Sequence, residues 1–80
     1  MFKIEIYGGG CAKCKATAEN ARKAVQELGV EAEVIPVFDK IAVIKRGLTD
    51  TPALLINGVL KVAGRIADVD EIKGLLNTNA

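Results

Sequence analysis

From Phe2 to Tyr7 apolar and polar positions alternate, with Phe2, Ile4 and Ile6 on one face, which predicts a strand. Gly8-Gly9-Gly10 ends it. Beyond the glycines the period lengthens to that of a helix. Cys14, Ala18, Ala21, Val25 and Leu28 follow one another at steps of four, three, four and three and form one apolar stripe. Glu19, Asn20, Arg22, Lys23, Gln26 and Glu27 fill the wet side. Gly29 suits a left-handed C-cap, and Val30 its apolar contact.

Ala32 to Val37 reads as a second strand, and Pro36 confines it to an edge because it cannot donate to a ladder. Asp39 can cap a short helix through Arg46 that Gly47 closes, although Ile41-Ala42-Val43-Ile44 would also suit a strand. Ala53 to Ile56 is a buried apolar run, and Asn57-Gly58 signals a type I′ hairpin that returns Val59 to Ala63 against it. Asp68, with Glu71 three residues on, resembles a capping box ahead of a last amphipathic helix carrying Val69, Ile72, Leu75 and Leu76. Asn77 to Ala80 is expected to fray. The predicted order is βαβαββα. A helix between the first two strands implies a parallel pair with a right-handed crossover. The expected fold is therefore α/β: a mixed four-stranded sheet flanked by three helices, as one domain over residues 1–80.

Composition narrows the class. Half the residues are hydrophobic and only 4% aromatic, so the core must be aliphatic. A net charge of +1 with interspersed signs gives no general attraction to nucleic acid or membrane. No apolar run could cross a bilayer, and the chain opens on a strand without a signal-peptide pattern. The expectation is a cytoplasmic monomer with neither nucleic-acid nor membrane partners. There is no histidine to serve as base or ligand.

The candidate chemistry lies in Cys11-Ala12-Lys13-Cys14, which holds both cysteines of the chain at the mouth of the first helix. Reversible dithiol–disulfide exchange needs one exposed, ionised thiol and a second close enough to attack a mixed disulfide. Cys14 belongs to the inward stripe and is expected to be buried. Cys11 precedes the first turn, where unpaired N–H groups, the positive end of the helix dipole and the charges of Lys13 and Lys15 favour thiolate. Its pKa is expected below the ordinary value of about 8.5. Cys11 then attacks and Cys14 resolves, and the two sulfurs carry the electrons without a bound cofactor. Other readings stand beside this one. Two thiolates also suit a soft ion such as Cu(I), as in small carrier domains. Against that, carriers usually have a methionine before the first cysteine, where this chain has Gly9, and they end on a strand. An interaction module with vestigial cysteines is a third possibility. Gly8-Gly9-Gly10 lacks the spacing and Lys-Ser/Thr of a phosphate loop. Lys15 reads as a solvated helix start, and Arg65 as a surface residue or an anion contact.

Together with Thr51-Pro52 before the third strand and the Asn57-Gly58 hairpin leading to Gly64, this pattern resembles the thioredoxin/glutaredoxin superfamily from Phe2 to Leu76. More narrowly it is similar to the minimal thioredoxin-like redox-active disulfide proteins of archaea and bacteria. Gly8-Gly9-Gly10-Cys11, Gly47-Leu48-Thr49-Asp50-Thr51-Pro52 and Gly64-Arg65 match their motifs. The resemblance implies protein disulfides as substrates, a separate reductase as electron donor and no metal. It also implies a cis Pro52 beside the cysteines, backbone contacts to substrate from Thr51, and Gly64 lining the same groove. Thioredoxins proper carry Trp before the first cysteine and Gly-Pro between the pair, where this chain has Gly10, Ala12 and Lys13. Donor and redox potential are thus left open. Glu5 has the offset of the family's buried carboxylate. It would be a proton shuttle for Cys14, or a solvated residue on the polar face of its strand.

Overall fold

The computed structural model describes residues 1–78. Its elements are β1 (Phe2–Tyr7), α1 (Ala12–Leu28), β2 (Ala32–Val37), α2 (Lys40–Lys45), β3 (Ala53–Ile56), β4 (Val59–Ala63) and α3 (Val69–Thr78), in the predicted order. The strands form one sheet, β2-β1-β3-β4. β1 runs parallel to β2, from Phe2 opposite Ala32 to Tyr7 opposite Val37. It runs antiparallel to β3, from Ile4 opposite Ile56 to Tyr7 opposite Ala53. β2 is an edge, where Pro36 is tolerated. In the β3–β4 hairpin, Asn57 and Gly58 have φ of 52° and 82°, the left-handed pair that a type I′ turn requires. Leu54 faces Val62 but Leu55 faces Leu60, so Lys61 is the extra residue of a bulge in the other edge strand.

Side chains alternate across the sheet and make two cores. Ile4, Ile6, Leu54 and Ile56 pack under α1 and α3 with Ala18, Ala21, Ala24, Ile72 and Leu76. Burying an Ile72 or Leu76 side chain is worth about 1.5–3 kcal/mol. Tyr7, Ala53 and Leu55 form a smaller cluster on the opposite face, against Val37, Ala42, Val43 and Leu48 of β2, α2 and the loop beyond.

α1 lies rotated from the predicted stripe. Its buried residues are Cys14, Thr17, Ala18, Ala21 and Ala24, whereas Val25 and Leu28 are half-buried. The helix packs on α3 as well as on the sheet, and its small residues permit that close approach. Thr17 enters the core because its hydroxyl donates to the Lys13 carbonyl at 3.0 Å, leaving no unpaired polar atom. Gly29 takes the left-handed cap, φ 65°. Residues 41–44 are helical rather than extended: Asp39 Oδ1 accepts the Ile41 N–H at 3.0 Å and starts α2. At α3, Asp68 Oδ1 accepts the Glu71 N–H at 2.8 Å. The capping box is not completed, since the Glu71 carboxylate turns to Arg65, with Nη1 at 2.7 Å and Nη2 at 2.5 Å. Arg65 is thereby a surface ion-pair partner. α3 also continues through Asn77 and Thr78, part of the segment expected to fray; the rest of that segment lies outside the described residues. No helix among the described residues is long and apolar enough to cross a membrane.

Candidate active site

The site begins where β1 hands over to α1. Cys11 is the N-cap of α1, extended at φ −72° and ψ 172°, and its carbonyl accepts the Lys15 N–H at 3.0 Å. Cys14, one turn on, faces the sheet with 0% exposure, while Cys11 is exposed. Both are free thiols, with the sulfurs 3.1 Å apart. That separation is within reach of bond formation between reacting atoms.

The two thiols differ in acidity for physical reasons. The Cys11 thiol is lowered first by the hydrogen bond from Cys14, and then by the backbone N–H of Cys14. Smaller help comes from the N–H groups of Lys13 and of Cys11 itself. The Cys14 thiol is raised, first by burial and then by the same sulfur–sulfur bond, in which it keeps the proton. The sequence predicted the direction for Cys11 but not the main cause. The ammonium groups of Lys13 and Lys15 are not among the leading causes; Lys13 acts through its backbone.

Opposite Cys11 the chain closes a groove of about 570 Å³. Gly9, Gly10 and Cys11 form one wall, and Lys40, Val43, Ile44, Leu48, Thr49 and Thr51 the rest. Lys40, Val43 and Ile44 of α2, and Leu48 and Thr49 beyond it, were missed by sequence reasoning. The usable signal was composition: Ile41 and Ile44, at 62% and 75% exposure, are more apolar than a solvated helix needs.

The other predicted residues fall in different places. The Thr51–Pro52 bond is cis. Thr51 is exposed and lines the groove. Pro52 is buried, and its carbonyl accepts the Gly64 N–H at 3.1 Å. Gly64 therefore stands beside Pro52 and does not line the groove. Glu5 is not brought to Cys14. It alternates onto the face that α2 covers, where its carboxylate accepts the Tyr7 hydroxyl at 2.9 Å. Cys14 belongs to α1, whose buried face packs on the opposite side of the sheet. The proton-shuttle expectation for Glu5 is corrected by this alternation, and so is the solvated one, since Glu5 is half-buried and bonded.

A family model described as Thioredoxin domain matches residues 2–77. The chain belongs to the thioredoxin family. A protein named thioredoxin from Methanothermobacter thermautotrophicus is 46% identical over 77 residues, covering 96% of this chain and all of that one. A second thioredoxin, from Methanocaldococcus jannaschii, is 42% identical over 73 residues, covering 91% of this chain and 84% of that one. A solved structure of thioredoxin-2, described as a component of malaria parasite protein secretion machinery, shares the fold with a TM-score of 0.71 at 13% identity. It covers 98% of this chain and 82% of that chain. Membership and these identities establish a thioredoxin-type thiol–disulfide oxidoreductase.

Proposed function

We propose that the protein reduces disulfides of protein substrates, with Cys11 as the attacking sulfur and Cys14 as the resolving one. The observation that carries this reading is the asymmetry of the pair. An exposed, acidified thiol sits 3.1 Å from a buried thiol that holds its proton. Cys11 thiolate attacks one sulfur of the substrate disulfide, forms the mixed disulfide, and expels the other sulfur as a thiolate that takes a proton from water. Cys14 then attacks Cys11 Sγ. The mixed bond breaks, the Cys11–Cys14 bond forms, and the Cys14 proton ends on the departing substrate sulfur. Two electrons have passed to the substrate, and a separate reductase returns two to the pair. No bound cofactor takes part.

The groove supports a peptide substrate. Its apolar lining by Val43, Ile44 and Leu48 sits beside Cys11. Thr51 is exposed and makes no hydrogen bond within the chain among the described residues, which suits main-chain pairing with an extended segment. Gly64 has a lesser part, because Pro52 takes its N–H. The test is mixed-disulfide trapping with a disulfide-bonded protein substrate. Cys14→Ser is expected to accumulate the covalent adduct and Cys11→Ser to form none; equal trapping by both variants contradicts the assignment.

A further inference from the structure

Of the eight glycines, seven either have open space or ordinary-to-tight contacts where a side chain would stand. Gly8 is different. A Cβ built there would lie 2.2 Å from Cys14 Sγ, 3.2 Å from Cys14 Cβ and 3.8 Å from Thr51 Cβ. No real pair of atoms of this kind tolerates the first distance. The backbone does not call for glycine, since Gly8 is absent from the positive-φ residues that include Gly10, Gly29, Gly47, Gly58 and Gly64. What glycine supplies here is volume, and a sulfur fills it. Gly8 itself is pinned: it is buried, and its N–H donates to the Val37 carbonyl at 3.2 Å, tying this point of the chain to β2.

We propose that Gly8 is a positioning residue for the resolving thiol: the space left by its missing side chain is the seat of Cys14 Sγ, and this seat holds the sulfur 3.1 Å from Cys11. The inference rests on the role of Cys14 given above. A methyl group at Gly8 forces Sγ to turn about χ1 or carries α1 outward. Cys14 Cβ, at 3.2 Å, must also give by a few tenths of an ångström. Either movement changes the approach to Cys11, and misplacing a reacting atom by about 1 Å can cost on the order of 100-fold in rate. It also weakens the sulfur–sulfur hydrogen bond, the largest influence holding the Cys11 thiol acidic.

The experiment uses the full chain, reduced, with 5,5′-dithiobis(2-nitrobenzoate) as the probe. The first thionitrobenzoate released reports attack by Cys11, and the second reports resolution by Cys14. For Gly8→Ala the second phase is expected to slow by roughly 10- to 100-fold, and the pH midpoint of the first phase to move up. A second phase at the unsubstituted rate overturns the proposal. Cys14→Ser in the same assay separates the two claims. It should show the first phase alone, and a full second phase there would defeat the role of Cys14 rather than that of Gly8. Stability gives an independent arm. Gly8→Ala should lower the melting temperature less in a Cys14→Ala background, where the sulfur is gone, than in the native one. Equal loss in both backgrounds overturns the proposal. Should Gly8→Ala alone not fold, folding of the double variant supports the shared-space argument, and failure of both contradicts it.

Discussion

On one face of the sheet Ile4, Ile6, Leu54 and Ile56 are sealed beneath α1 and α3, and α1 carries Cys14 inward to the same side. On the other, Tyr7, Ala53 and Leu55 lie under a six-residue helix with no fully buried side chain, and Ile41 and Ile44 face water. The thick face makes a thiol hard to ionise by excluding solvent from it. The thin face leaves apolar surface uncovered next to the thiol that meets substrate. Cys11 stands at the junction as N-cap of one helix and wall of the groove under the other. Stability and recognition are thus assigned to opposite sides of β1, and the two cysteines sample one side each.

The division can be broken most severely at Ile6. It is fully buried in the larger cluster, so Ile6→Ala should cost about 2–5 kcal/mol in denaturant unfolding. That is a large part of the roughly 5–15 kcal/mol available to a small domain. A loss under about 1 kcal/mol would show that this face is not the anchor. Ile44→Ala should give the opposite profile. Stability should hold within about 0.5 kcal/mol. KM for a protein disulfide should rise roughly threefold to tenfold, as expected for apolar contacts worth about 0.8 kcal/mol per buried methylene, with little change in kcat. A large stability loss with unchanged KM would turn α2 into a structural element.

The smallest expected effect is at Glu71, on α3. The Arg65 guanidinium holds its carboxyl below the ordinary 4.5. A carboxyl depressed in the folded state stabilises above its unfolded value, and that contribution disappears as the pH falls through the lower folded value. The pair is largely exposed, with 59% of the Arg65 side chain accessible, so solvent screening keeps its contribution small. Glu71→Gln should therefore lower stability slightly at neutral pH, change it little in strong acid, and flatten the pH dependence below pH 4.5; an unaltered acid profile would mean the ion pair contributes nothing in solution.

The elements were legible because each is written locally. Period-two alternation at Phe2–Tyr7, the Gly29 and Asp39 caps and the Asn57-Gly58 turn all act within a few residues. The exposed and buried cysteines followed from helix geometry in the same way. What stayed hidden depends on packing between distant elements. Thr17 reads as polar until its own hydroxyl bonds the turn before it. Glu5 has the right offset from Cys11, but alternation alone does not say which helix covers which face. Gly9, Gly10 and Cys11 meet α2 across a groove from about thirty or more residues away, and Gly8 meets Cys14 through a missing atom. Spacing along the chain records none of these.

The central claim is that Cys11 is the ionised attacker and Cys14 the protected thiol that resolves. It is tested most directly by alkylating the reduced protein with iodoacetamide across pH and assigning each adduct by peptide mass. The account predicts that Cys11 reacts first, with a midpoint below that of an ordinary thiol, while Cys14 is labelled only after denaturant is added. Equal labelling of both sulfurs in the native protein, or a Cys11 profile matching an unperturbed cysteine, would contradict it.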